Sequence, residues 1–391
     1  MRLLFIAPYT PLLTKPRPYN FLLHLAKKYE IYLLCFGDYS PDQLANHPDY
    51  ITLKANCQHI EHIPIAKSRI AWNLLSGTLF TDKPLRVSYY GPSFARERIR
   101  QIVRENKIDV IHVDRSRLAG LTQGIDIPKI LDLTDSITWY IKQCLHRSSL
   151  HMKPVYLVEH MRMQHYEKTV GSDYNQCLIT NQHDRQWFKD TPFFDRINVV
   201  PNAIDKAFFE HQSSGTQSNH TLLFYGNLSY YPNVDGIKYF CRHIFPEIQH
   251  QVRDVKLQIV GNKPARVIER LAKKSGIEVT GWVPSLIQYI ASVSVVISPL
   301  RIGVGFPNKI AESLAVGKAV VSSDIGCRGL ENSDQAILTA HNDLEFITAT
   351  TQLLNDTHLR TQLEHKAWTY ARNYLRPEYA LAALDKVYAK I

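Results

Sequence analysis

Residues 301 to 323 read Arg-Ile-Gly-Val-Gly-Phe-Pro-Asn-Lys-Ile-Ala-Glu-Ser-Leu-Ala-Val-Gly-Lys-Ala-Val-Val-Ser-Ser, a glycine-bearing loop that enters a short helix and then a β-branched strand. A strand reached through a helix pairs in parallel with its neighbour, because a tight hairpin cannot join parallel strands. The same alternation recurs along the chain. Leu3 to Ala7, Ile31 to Phe36, Asp109 to Asp114, Lys129 to Asp135 and Gln176 to Thr180 are strand candidates, with a helix over Asn20 to Tyr29. A second series falls near 222 to 225, 256 to 260, 295 to 299 and 319 to 322. The expected fold class is α/β, with two Rossmann-like doubly wound parallel sheets.

Length supports two cores, since 391 residues exceed what one ordinary core serves. The break is expected near Pro201 to Ser218, beside the longest polar stretch, Glu210 to His220. The expected domains are 1–200, a linker 201–220, and 221–370. Hydrophobic content of 45% and 21% charged residues are globular values. No apolar run reaches the about 18 residues that a membrane span needs. Met1 to Ala7 runs straight into prolines and reads as a buried first strand, not a secretory leader. Cys35, Cys57, Cys144, Cys177, Cys241 and Cys327 are scattered without metal-site spacing, which suggests a reducing, cytoplasmic setting and no metal. A net charge of +10 asks for an anionic partner. No nucleic-acid module is visible, so an anionic membrane surface is the candidate, met by Lys67 to Phe80 or by the basic amphipathic helix Arg96 to Arg104.

The chemistry of the glycine loop is local. Gly303 and Gly305 let a ligand approach backbone amides, and Pro307 suits the first turn of a helix. The helix dipole and Lys309 favour an anion at that end, a diphosphate above all. Glu312 shares the face of Lys309 one turn further on, where a carboxylate can accept hydrogen bonds from a ribose diol.

These residues resemble the nucleotide-sugar signature of retaining GT-B glycosyltransferases, family 4, also called glycosyl transferases group 1. The matching positions are Pro299-Leu300-Arg301, Gly303, Gly305, Asn308-Lys309, Glu312, Ala315, Gly317 and Val320-Val321. Phe224 to Asp235 resembles the first strand and loop of that family's C-terminal domain, and Val200 to Asp205 its linker. The resemblance implies a donor nucleotide sugar, UDP- or GDP-linked, bound by Glu312, Lys309, Arg301, Gly303, Gly305, Phe306, Pro307, Asn308, Asn227 and Tyr230. It implies an acceptor on the N-terminal domain across a cleft, a final segment 371–391 that crosses back to that domain, and transfer with retention of configuration. Three departures stand out. Val304 occupies a position that is acidic in many relatives, the loop Pro8 to Pro16 has no glycine, and Asn227, Ser229 and Asn233 stand where an Arg and Lys pair is common.

The implied reaction moves a hexosyl group from a nucleoside diphosphate sugar, as co-substrate and with no cofactor, to a hydroxyl of a carbohydrate or lipid-linked acceptor. Negative charge grows on the departing diphosphate, so Lys309 counts as catalytic as well as donor-binding. His112 and Asp114 close one N-terminal strand and Asp135 the next, which makes them the catalytic candidates there. Two alternatives remain at this point. One is a non-catalytic nucleotide-sugar-binding or scaffold subunit, and the other is a Rossmann oxidoreductase, whose glycine fingerprint the first loop lacks.

Overall fold

The computed structural model describes residues 1–37, 41–65, 67–90, 93–210 and 220–391. Positions 211–219 of the expected linker lie outside the described residues. The chain forms two compact units, Met1–Ala203 with Ala380–Ile391, and Ile204–Tyr379.

Seven parallel strands make the first sheet. They are β1 (Arg2–Ala7), β2 (Glu30–Gly37), β3 (His59–Pro64), β4 (Val110–Asp114), β5 (Lys129–Thr134), β6 (Gln176–Ile179) and β7 (Ile197–Val199), in the order β3-β2-β1-β4-β5-β6-β7. The second sheet holds β8 (Thr221–Tyr225), β9 (Lys256–Val260), β10 (Ile277–Gly281), β11 (Val295–Ser298), β12 (Val320–Ser323) and β13 (Leu338–Ala340), in the order β10-β9-β8-β11-β12-β13. Both are doubly wound. Central strands such as β1, β4, β5 and β8 are buried almost throughout, and each sheet carries an apolar cluster on either face. That is why they read as continuous Val, Ile and Leu runs instead of alternating ones. Strand order reverses between β1 and β4 in one sheet and between β8 and β11 in the other. The connections leave in opposite directions there, and a crevice opens at the carboxyl ends of the two strands.

The chain returns to the first unit at Ala380, later than the expected 371. The helix Thr357–Tyr374 buries Ala367, Tyr370 and Ala371 in the second unit's core, whereas Leu384, Val387 and Tyr388 are buried in the first. In the first unit Arg17 is buried against Asp132, with contacts of 2.7 and 3.1 Å. Its remaining donor reaches the Val200 carbonyl at 2.7 Å and Asn202 Oδ1 at 3.1 Å, so one guanidinium ties the end of β5 to the chain leaving β7. Removing one partner of a buried pair strands the other charge, at about 3–5 kcal/mol. Asp132→Ala should therefore lower the urea midpoint for opening of β5, followed by amide hydrogen exchange, by an amount of that order; unchanged exchange on β5 would remove the pair from the list of stabilising contacts.

Candidate functional site

In the second unit the loop after β11 turns through Gly305 at φ 76°, a left-handed conformation that glycine adopts without strain. Pro307 follows as the cap residue with φ −81° and ψ 72°, and the helix runs Asn308–Val316, one residue later than a first-turn proline would set it. Pro307 has no N–H to lose there, and its carbonyl accepts from the Ile310 and Ala311 amides at 3.0 and 3.1 Å. Gly317 closes the helix in the left-handed conformation at φ 79°, as its place in the sequence predicts.

Lys309 projects from the first turn towards the loop after β8. Its Nζ donates to Asn233 Oδ1 at 2.9 Å and lies 4.1 Å from the centre of the Phe224 ring. Asn233 is itself oriented, its amide donating to the Asn227 carbonyl at 2.9 Å. The chain passes this close because Gly226, at φ 141°, has no side chain; a Cβ there would lie 3.0 Å from Asn233 Nδ2 and 3.7 Å from Lys309 Nζ. A Cβ on Gly261 would in turn meet the Gly226 carbonyl oxygen at 1.8 Å. The two glycines thus bring the loops after β8 and β9 together beside the lysine.

Glu312 stands one turn beyond Lys309 on the same helix face. The Tyr225 hydroxyl donates to the Lys309 carbonyl and lies 3.1 Å from Ser313 Oγ, pinning that turn to the end of β8. Burial pulls the Lys309 ammonium down to about 7, with Glu312 acting against the shift. Burial pushes the Glu312 carboxyl up to about 7, opposed by Tyr225 and Lys309. A cation and a carboxylate held near the point of half-ionisation respond strongly to an incoming anion or hydroxyl.

Arg301 departs from its expected role as a cation for the ligand. Asp235 takes its guanidinium through two contacts of 2.9 and 3.2 Å, and the group lies 4.1 Å from the Tyr239 ring centre. Its charge is compensated within the protein. Asn227 is also engaged, because its Oδ1 accepts from both the amide and the hydroxyl of Ser229, at 2.9 and 2.8 Å. Tyr230 is 45% exposed at the start of the helix Tyr231–Tyr239. Gly303, Gly305, Phe306 and Asn308 fall in the loop and first turn around Lys309. Asn233 as the holder of Lys309, Tyr225 as the pin and Asp235 as the counter-ion of Arg301 are not read from spacing; they lie 76, 84 and 66 positions from their partners.

The first unit has its own cluster at the β1 and β4 ends. Asp114 is 1% exposed, its Oδ2 has no hydrogen-bond partner among the described residues, and burial pushes it up to about 6. Burial and the Asp114 carboxylate push the Tyr9 hydroxyl up to about 12. Asp135 pairs with Arg115 at 3.3 Å and is shifted upward by burial. Arg115 and Thr134 both adopt positive φ, 78° and 68°, which marks strained backbone where the two strands end. His112 does not join this cluster. It is fully buried, stacked on Phe5 with centres 4.4 Å apart, and its Nδ1 lies 2.8 Å from the Tyr388 hydroxyl. Burial pulls the ring down to about 4, so it is neutral and serves packing beneath the sheet. The structure places the expected catalytic His112 in the layer that covers the sheet, two residues before the strand end, with its Nε2 buried and without a hydrogen-bond partner among the described residues.

Two doubly wound parallel-sheet units, each with its polar cluster at the strand-order reversal, match solved structures along the whole chain. The fold is GT-B. Anabaena HepE, crystallised with UDP, has a TM-score of 0.67 at 14% identity, with 100% of both chains covered. Sucrose-phosphate synthase from Thermosynechococcus elongatus has a TM-score of 0.70 at 11% identity, covering 100% of this chain and 99% of that one. WaaG, a glycosyltransferase involved in lipopolysaccharide biosynthesis, has 0.66 at 12% identity, with 98% and 99% covered. Within this GT-B chain, residues 219–356 match the family model of the glycosyl transferases group 1. An uncharacterized 44.6 kDa protein in the cps region of Klebsiella pneumoniae is 23% identical over 271 residues, 64% of this chain and 67% of that protein. The GT-B second unit should depend on the glycine contact beside Lys309. Gly226→Ala forces a side chain into a glycine-only conformation, at a cost of about 1–3 kcal/mol; an unchanged urea midpoint for that unit would mean the loop relaxes freely.

Proposed function

We propose that the chain is a retaining glycosyltransferase that moves a hexosyl group from a UDP- or GDP-sugar to a hydroxyl of a polysaccharide or glycolipid acceptor. One observation carries the reading. A lysine fixed by Asn233 stands in the first turn of a helix entered through a glycine loop, at the strand reversal of the second unit, with Glu312 one turn beyond. Diphosphate at that turn meets the helix dipole and the Lys309 charge, and Glu312 accepts from the ribose. As the bond to the sugar breaks, the same charges stabilise the departing diphosphate, with no metal in the step. Asp114 and Asp135 are the N-terminal residues left to orient the acceptor hydroxyl. Val304, where many relatives carry an acidic residue, favours one rival, a nucleotide-sugar-binding subunit without turnover. Hydrolysis or transfer measured over a panel of UDP-, GDP- and ADP-sugars separates the two, and no binding across the panel would end both.

Lys309→Ala and Glu312→Ala should each weaken nucleotide binding by about 1–3 kcal/mol, the range for a lost charge-assisted hydrogen bond. The lysine is largely neutral above pH 7 without ligand, and a bound diphosphate favours its charged form. UDP binding at pH 8 should therefore take up a proton, and affinity should fall as pH rises from 7. Calorimetry in buffers of different ionisation enthalpy reads the uptake; its persistence in Lys309→Met would assign the proton elsewhere.

The same reading sets the enzyme at the cytoplasmic face of a membrane, resting on anionic lipid. Among the described residues no helix is long and apolar enough to cross one. The helix Ser93–Glu105, expected to lie on lipid, instead buries Ala95, Ile99 and Ile102 in the sheet's covering layer, while Arg98 grips Glu61 through two contacts of 2.7 Å. Exposed apolar residues gather elsewhere. Leu150 is 82% exposed, and Met152, Val155, Leu157, Val158 and Met161 follow on the helix Lys153–Glu167 and the turn before it. Both carboxylates of that helix, Glu159 and Glu167, are buried as acceptors of backbone amides, which leaves its exposed side cationic and apolar. Trp72 and Leu75 of the helix Lys67–Phe80 are exposed too, although the side chains of Lys67, Arg69 and Phe80 are outside the described residues. The chain should sediment with phosphatidylglycerol vesicles and much less with phosphatidylcholine ones, and Leu150→Glu with Val155→Glu should release it. Equal binding to both lipids would overturn this part.

A further inference from the structure

The first unit contains a cavity of about 500 Å³ that the reading above does not use. Its walls come from three places: Lys142 on the helix Ile137–Arg147, His160 and Gln164 on the helix Lys153–Glu167, and Trp187 beyond β6. Trp187 stacks on Trp139 with ring centres 4.3 Å apart and planes at 17°. Lys142 Nζ lies 5.6 and 5.7 Å from the two ring centres, which holds the indoles against a fixed cation. Trp187 nevertheless keeps 41% of its surface exposed. A paired indole left open at a cavity wall is a flat apolar plane of the kind that binding pockets use.

Two further properties narrow the ligand. His160 Nδ1, at this wall, is buried and has no hydrogen-bond partner among the described residues, so a polar atom is left over from the protein's own bonding. The lining also carries a cationic excess. Lys142, Lys168 and Lys189 face it, against Asp190 and Glu167. Glu167 is spent on the start of the helix Ile137–Arg147, accepting from the Ile137 and Thr138 amides at 2.8 and 3.2 Å and from Ser136 Oγ at 3.3 Å. An aromatic plane suits the C–H face of a pyranose ring, the unpartnered His160 nitrogen suits one of its hydroxyls, and the lysines suit an acidic substituent.

We infer that this cavity binds an acidic saccharide, a sugar unit bearing a carboxylate or a phosphate. Calling that sugar part of the acceptor rests on the glycosyl-transfer reading. Ser136, which lines the cavity, follows Asp135 directly in the chain.

Calorimetric titration of the full chain with trigalacturonate, glucose 6-phosphate and maltotriose tests this. At least one acidic ligand should bind about tenfold or more tighter than neutral maltotriose, and the one that does identifies the anion. Trp187→Ala and Lys142→Gln should each weaken that binding by about tenfold or more, with the thermal midpoint and UDP affinity unchanged. Maltotriose binding as tightly as the acids, acid binding that survives both substitutions, or displacement of the acid by UDP would overturn the inference. A chain that binds the acid but no nucleotide would refute glycosyl transfer and leave the cavity assignment intact. A chain that binds nucleotide but neither acid would do the reverse.

Discussion

Both units depend on one constraint of parallel sheets. Every strand must be fed from the same end, so the chain winds outward from the centre in both directions and cannot cover the point where it reverses. At β8 and β11 that opening receives the loop with Gly226 and the first turns of the helices that carry Asn233 and Lys309. At β1 and β4 it receives Tyr9, Asp114 and Arg115. The covering helices make the rest of each sheet apolar on two faces, which leaves these openings as the places where charged side chains gather without a core to satisfy.

Charge is handled differently at the two kinds of position. Arg17 with Asp132, Arg301 with Asp235 and Arg98 with Glu61 are matched by two-point contacts, and each joins segments far apart in sequence. Lys309 is instead held by a neutral amide and an aromatic face. An amide fixes the position of the amine without supplying a counter-charge, and burial lowers its proton affinity, so its charge is set by whatever anion arrives. The group 1 glycosyl transferase match covers these residues, where Asp235 compensates the arginine's charge and no carboxylate forms an ion pair with the lysine among the described residues.

The first unit adds a long excursion between β5 and β6. The helices Ile137–Arg147 and Lys153–Glu167 pack on each other, and Glu167 closes the base of the pair by accepting from the first amides of its partner helix. Apolar residues end up outside at the tip and a tryptophan pair at the base. Such a pair exposes surfaces on which the sheet itself makes no demand, which is where binding can be elaborated without loss of the core.

The central strands, the helix closed by Gly317 and the position of Lys309 relative to Glu312 are all legible in the sequence, because each rests on periodicity or on a backbone requirement met within a few residues. Four strands are not legible, β3, β7, β10 and β13, and all four are sheet edges. An edge strand is paired on one side only and tolerates polar residues, as in His-Ile-Glu-His-Ile-Pro of β3, so it lacks the apolar run that betrays a central strand. Roles within the sites followed the same division. Local sequence placed His112 at a strand end and Arg301 beside the glycine loop; only the packing of Tyr388 and Phe5 made the histidine a core residue, and only Asp235 took the arginine's charge. Local chemistry is written along the chain, whereas whether a side chain is buried or paired depends on segments brought together by sheet order, and that is a property of the folded structure alone.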